Sequence, residues 1–349
     1  MTLFPFGRKK EGIGLDIGHR WGKVIKLTQK GEMPVLERLG RTFWTKEERE
    51  DRQRLQERIK NILNALLLKE KEVITSLAGH SVIIKRIPLS EVGGVKDYDE
   101  VIKKQAKDHI PFDVKNVYLD YHIINDTPSP REYFLVASKK EEVHDLQEVL
   151  EGMGLKILII DVDGFALCNC FEFNYPELIN GCTYLLDIGS TSSIFCVYSK
   201  GNPLIIRDAG FGGDQVTFQI KEVLNCPFQE AEKIKTMGLK GIDPRDKLKI
   251  SQKIKELYLS WVDEIQKLIY FHSSNYEGEE VTRLFLSGGG SLCAEIKKTL
   301  EEHLEKEVLL LNPFKKISVS IENFDPEYLK NISPQFVIAT GLALRNIFN

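Results

Sequence analysis

Apolar residues recur along this chain with two periods, one of short strand-like runs and one of longer helical stripes. Residues 12–27 read as two strands around a turn: Ile13 and Leu15 alternate up to Asp16-Ile17-Gly18, and Val24, Ile25 and Leu27 follow. Another strand follows over 33–39. Residues 46–70 are densely charged, yet Leu55, Ile59, Ile62 and Leu66 fall at helical spacing, which predicts a surface helix laying one apolar stripe on a sheet. Residues 73–89 read as strands broken at Gly79. A helix over 97–109 is stopped by Pro111, because the residue before proline disfavours the helical region. Strands over 117–124 and 132–137 flank the breaker-rich 126–130, and a helix over 140–153 closes on Gly154. Residues 80–155 therefore predict a small β-α-β-β-α insert.

Beyond it, 155–160 is a continuous apolar run, as expected of a strand buried on both faces, and a helix over 164–173 follows. A strand over 183–187 enters a second Asp-Ile-Gly turn, and 194–198 leaves it. Phe211-Gly212-Gly213-Asp214 opens a helix to about residue 224, and further helices span 228–237 and 244–275. In the last of these Ile254, Leu257, Trp261, Ile265 and Leu268 mark one face. A strand over 283–286 runs into Ser287-Gly288-Gly289-Gly290-Ser291 and a helix from Leu292, while 334–348 reads as a final apolar helix.

The length of 349 residues exceeds one compact core and predicts two or more domains. A net charge of -3 offers no electrostatic case for nucleic acid. Six cysteines form no Cys-x-x-Cys pair and mostly lie in apolar runs, which predicts buried free thiols in a reducing cytoplasm. Cys168-x-Cys170 has no neighbouring His, so no thiolate metal site is assigned. The head, with Phe4, Pro5 and Phe6 before Arg8, Lys9 and Lys10, lacks the apolar core of a signal peptide. It reads as a solubilising terminus or as a contact for a membrane surface or partner. No run approaches the ~20 apolar residues of a membrane span. The best, 155–170, contains Lys156, Asp161 and Asp163.

The candidate chemistry lies in an internal repeat. Ile13-Gly14-Leu15-Asp16-Ile17-Gly18 and Tyr184-Leu185-Leu186-Asp187-Ile188-Gly189 are each an apolar strand ending in Asp-Ile-Gly, then a polar turn and a second strand, about half the chain apart. Glycine lets backbone N–H groups approach phosphate oxygens without a Cβ in the way. An aspartate at a strand end can hold the waters of magnesium, which prefers one or two carboxylates plus phosphate. Two such hairpins facing each other would clamp a polyphosphate. The Gly288–Gly290 turn would let backbone pass close to an adenine or ribose, and the helix from Leu292 would point donors at an anion. No Gly-x-x-x-x-Gly-Lys-Ser/Thr occurs, since Gly18-x-x-x-Gly22-Lys23-Val24 is one residue short and lacks the hydroxyl. No Gly-x-Gly-x-x-Gly opens a helix.

These motifs resemble the actin/Hsp70/FtsA superfamily, in which paired Asp-x-Gly hairpins are the two phosphate motifs. Leu284-Phe285-Leu286-Ser287-Gly288-Gly289-Gly290-Ser291 is similar to its adenosine motif, and the segment ending Gly212-Gly213-Asp214 to the loop after the second phosphate motif. Within the superfamily the chain resembles the PilM family of type IV pilus assembly proteins. Gln105-x-x-x-His109-Ile110-Pro111-Phe112, Val117-Tyr118-Leu119-Asp120-Tyr121, Phe134-Leu135-Val136-Ala137-Ser138-Lys139-Lys140 and Ile160-Asp161-Val162-Asp163-Gly164-Phe165-Ala166-Leu167 carry that likeness over nearly the whole chain.

The resemblance implies an α/β, actin-like two-lobed fold with duplicated sheet domains and a small inserted subdomain. It assigns 1–79, 156–178 and 336–349 to subdomain 1A, 80–155 to the insert 1C, 179–220 with 282–335 to 2A, and 221–281 to 2B. It implies ATP and Mg2+ as cofactors, with Asp16 and Asp187 holding the metal through water. Gly18, Lys23, Gly189, Ser190, Thr191 and Gly213 would line the phosphates, and Gly288, Gly289 and Gly290 the adenosine. Glu232-x-x-Lys235 would face the ribose and adenine or make an ordinary helix contact. Asp163 would orient attacking water or cap a helix. The first turn departs from the family pattern: His19, Arg20 and Trp21 stand where small hydroxyl residues usually follow, a change that bears on hydrolysis more than on binding. The implied function is that of a cytoplasmic ATP-binding component of the pilus inner-membrane assembly platform. Its implied partners are the N-terminal tail of a PilN-type protein, bound between 1A and 1C, other platform proteins and a further copy of itself, with membrane association only through the partner. An FtsA-like filament protein and a small-molecule kinase on the same fold are the alternatives.

Overall fold

The computed structural model describes residues 10–31, 33–78, 81–89, 98–124, 132–276 and 280–348; the aromatic and basic positions 4–9, Gly79, Asp97 and the breaker run 126–130 lie outside them. The first lobe opens with β1 (Glu11–Ile17), β2 (Trp21–Lys30) and β3 (Met33–Phe43), an antiparallel meander. The charged stretch after it is two helices, α1 (Lys46–Glu50) and α2 (Arg52–Ala65). Thr45 and Glu48 form a capping box on the first, and Asp51 breaks the run by accepting from Arg54 N as cap of the second. Then come β4 (Glu72–Leu77), β5 (Val82–Pro88), α3 (Tyr98–His109), β6 (Val117–Ile124), β7 (Glu132–Lys139), α4 (Lys140–Glu151), β8 (Lys156–Val162) and α5 (Asp163–Asn174).

The second lobe repeats the plan. β9 (Cys182–Ile188), β10 (Ser193–Ser199) and β11 (Asn202–Ala209) form another antiparallel meander. They are followed by α6 (Gly213–Leu224), α7 (Phe228–Met237), α8 (Pro244–Asn275), β12 (Arg283–Ser287), α9 (Ile296–Leu304), β13 (Glu307–Leu310), β14 (Ser318–Val319), α10 (Pro326–Ile332) and α11 (Val337–Phe348). The sheet orders are β14-β3-β2-β1-β4-β8 and β11-β10-β9-β12-β13. In each, two parallel strands extend the meander on the side of the strand ending in Asp-Ile-Gly, and in the first sheet β14 adds a parallel strand at the other edge. The repeat seen in sequence is therefore a repeat of topology.

Two helices join the lobes. α5 is apolar on most sides, because Leu167, Phe171 and Cys168 meet Leu185, Cys196 and Phe285 of the second sheet as well as α11. Its approach to α11 is backbone to backbone: a Cβ on Gly341 would lie 1.9 Å from the Ala166 carbonyl oxygen. The Cys168 and Cys196 sulfurs are 3.4 Å apart, and all six cysteines are free. Among the described residues no helix is long and apolar enough to cross a membrane.

The expected boundaries need two corrections. The second-lobe span 282–335 ends too late, since β14 pairs with β3 and Phe314, Ile317, Leu329 and Ile332 pack on Ile25, Leu27 and Leu36 of the first lobe. The insert has its own core of Ile87, Ile102, Ala106, Ile110, Tyr133 and Leu135 beneath the sheet β5-β7-β6. α4, expected to close that insert, instead packs Leu146, Val149 and Leu150 with Leu55, Ile59 and Val73 of the first lobe. The helix expected from Leu292 starts later: Gly289–Leu292 is a 3-10 turn, Glu295 takes φ 67°, and α9 begins at Ile296.

If the α5–α11 contact fixes the lobes, Gly341→Val should destabilise the protein by about 3 kcal/mol or more in urea unfolding, since overpacking against backbone cannot relax. Gly210→Ala, whose Cβ meets nothing within 4 Å, should stay within about 0.5 kcal/mol of wild type.

Candidate functional site

Both Asp-Ile-Gly turns are closed by the same hydrogen bond. Gly18 N donates to Trp21 O at 3.1 Å, and Gly189 N donates to Ser192 O at 3.0 Å. A Cβ on Gly189 would come within 2.6 Å of that acceptor, so the second turn in particular requires glycine. The turns face one cleft of about 350 Å³. Asp16, Gly18, Lys23, Asp163, Asp187, Gly189, Ser190, Gly213, Glu232, Lys235, Gly289 and Gly290 all line it. Thr191 and Gly288 do not. Thr191 is exposed and Ser192 takes the lining position, while Gly288, at φ 81°, holds the strand-to-turn corner against the Ile188 carbonyl.

The cleft floor concentrates carboxylates. Lys23 Nζ donates to Asp16 Oδ2 at 2.8 Å. Burial works against the Lys23 charge, but Asp16, with Asp187 and Asp163 farther off, outweighs it and raises the lysine pKa. Asp187 accepts from Ser287 Oγ at 2.7 Å, yet burial pushes its pKa up to about 6. Asp163 accepts from Ser76 Oγ at the start of α5, and burial together with the charges of Asp16 and Asp187 pushes it up to about 8. One ammonium therefore faces three buried carboxyl groups. Among the described residues no set of three or more His, Cys, Asp or Glu closes into a metal cage. Magnesium needs only one or two carboxylates when phosphate oxygens complete its shell, and Asp16 and Asp187 suit that arrangement.

The second lobe closes over this floor. Gly213 N donates to Gly189 O (2.9 Å) and Asp214 N to Ser190 O (2.7 Å), so the start of α6 is tied to the second turn. Glu232 and Lys235 pair at 2.7 Å, and both reach Thr217, at 2.6 and 2.8 Å. They join α7 to α6 and line the cleft as well. Lys235 also borders a second cavity of about 370 Å³ with a largely apolar wall that includes Ile220, Leu239, Ile254 and Tyr258.

Among the lining groups outside the residue-by-residue reading are Ser76, Arg20 as a bridge between lobes, Arg41 and Gln335. Ser76 had a signal, because it lies one residue before the end of β4, the parallel neighbour of β1. Arg20 donates through Nε to Asp214 Oδ2 at 2.8 Å, and Arg41 Nη1 donates to Gln335 Oε1 at 2.5 Å. Trp44, fully buried, braces the first turn by donating to the Gly18 and His19 carbonyls.

A family model described as type IV pilus assembly protein PilM matches residues 14–347. A chain of the PilM-PilN type IV pilus biogenesis complex is similar over 97% of this chain and 99% of that one, with 24% identity and a TM-score of 0.83. The ethanolamine utilization protein EutJ from Carboxydothermus hydrogenoformans is similar over 98% and 90%, with 15% identity and a TM-score of 0.56. MreB5 of Spiroplasma citri bound to ADP is similar over 97% and 96%, with 11% identity and a TM-score of 0.50. The fold is the actin-like one.

The carboxyl groups give a pH test on the ligand-free protein. Asp163 binds its proton more tightly folded than unfolded, so its contribution to stability falls as pH rises from the ordinary carboxylate range through about 8. Asp163→Asn cannot ionise. Its melting temperature should therefore exceed that of wild type by a margin that widens from pH 5 to pH 9 in calorimetry, and a constant margin would contradict the assignment.

Proposed function

Because the chain belongs to the type IV pilus assembly protein PilM family, we propose that it is an ATP-binding component of a pilus assembly platform, held at the cytoplasmic face of the inner membrane by a PilN-type partner. The observation that carries the nucleotide part is the pair of identically bonded glycine turns facing one cleft above Lys23 and three buried carboxyl groups.

In this reading the turns at Gly18 and Gly189 present backbone N–H groups to the phosphates, and Lys23 adds the positive charge. Mg2+, when bound with ATP, supplies the charge neutralisation that lets phosphate sit beside these carboxylates. Asp16 and Asp187 would hold it through water. Gly289 and Gly290 admit the ribose, and the apolar cavity beyond Lys235 takes the base. Asp163, bonded to Ser76, would orient attacking water. The His19-Arg20-Trp21 turn bears on hydrolysis more than on binding, so binding is the primary property.

The partner reading draws on a second property of the same cavity. Its lining runs on past Ser76 to Leu77, Arg49, Leu55, Leu146 and Val149, where β4, α1, α2 and α4 meet. A PilN-type N-terminal tail seated there would touch β4 just beyond Ser76, the residue bonded to Asp163. Tail and nucleotide would then bias the same lobe arrangement.

Fluorescent ATP with Mg2+ should bind Asp187→Ala about tenfold or more weakly than wild type, the loss expected for a charge-assisted contact. Equal affinity would remove the site assignment. A PilN-type N-terminal peptide should be retained by the immobilised protein, and its retention should change when ATP is added.

A further inference from the structure

Arg20 occupies the second position after glycine in the first turn, where the second turn has Thr191. Its guanidinium is not loose. Nε donates to Asp214 Oδ2 at 2.8 Å, and the group lies over the Phe228 ring, 4.6 Å from the centroid. Both anchors come from the opposite lobe, at the starts of α6 and α7. Asp214 is itself tied to the second turn, since its N–H donates to Ser190 O. The two side chains are only 13% and 8% exposed. A guanidinium fork is able to give a carboxylate two parallel hydrogen bonds. Here one hydrogen bond is made, and the Nη groups have no protein acceptor among the described residues while the side chain lines the cleft.

We propose that Arg20 is a preset contact for the terminal phosphate of a bound nucleoside triphosphate, positioned by Asp214 and Phe228 of the opposite lobe. The inference rests on the nucleotide reading above. A planar fork fixed in its plane by a carboxylate and an aromatic face matches two phosphate oxygens better than a hydroxyl does. The contact exists only when the lobes are closed, because its anchors belong to the other lobe. Arg20 therefore sets a preference for triphosphate over diphosphate, and the unusual first turn selects its ligand.

The test is the ratio of ATP to ADP affinity, by calorimetric titration with Mg2+, in wild type, Arg20→Ala, Arg20→Lys and Asp214→Asn. Melting temperatures without nucleotide establish that each variant folds. The preference for ATP should fall about tenfold or more in Arg20→Ala. It should fall part of the way in Asp214→Asn, and lysine should not restore it, because a point charge cannot serve carboxylate and phosphate together. If Arg20→Ala weakens both nucleotides by one factor, or neither, the bridge is structural and the proposal is wrong. If wild type itself binds neither nucleotide, the nucleotide reading fails instead.

Discussion

The burial of three carboxyl groups in one cleft is the constraint around which this molecule is arranged. Asp16 and Asp187 end corresponding strands of two sheets, and Asp163 begins the helix between them. The fold brings all three to one cleft with Lys23 as the compensating charge on its floor. Burying carboxylates is unfavourable: loss of solvent raises the pKa of both Asp163 and Asp187, and at Asp163 the charges of Asp16 and Asp187 add to it. A stable domain does not need such a floor. Under the proposed reading it would become favourable when a cation and a polyphosphate enter together, since each supplies what the other and the carboxylates lack.

The arrangement depends on close backbone packing. α11 lies against α5 and β1 at distances that leave no room for a Cβ at Gly341 or Gly14. α5 in turn shares its apolar surface with the second sheet. The helix that carries Asp163 is thus the element through which the lobes feel each other. Ser76 links that aspartate to β4, whose next residue, Leu77, lines the same cavity.

Much of this was legible in the sequence, because the signals were local. Each hairpin is an apolar strand ending in Asp-Ile-Gly, and the long stripe of α8 shows itself in Trp261 and Ile265. β11 was missed because Pro203 and the unalternating Leu204-Ile205-Ile206 hide a strand. β14 is two residues long, and nothing in its sequence says that it pairs with β3. The helix after the triple glycine was placed too early, since Leu292 and Cys293 look helical while the left-handed Glu295 breaks the run. Arg20 was seen as a departure, but its partner lies 194 residues away. Contacts between lobes leave no trace in local pattern.

The central claim is that one nucleotide lies between the two turns. Hydrogen–deuterium exchange with and without a non-hydrolysable ATP analogue tests it most directly. Amides of residues 18–22 and 189–192 should both slow on addition of the analogue with Mg2+. Slowing at one turn alone, or at neither, would contradict the account.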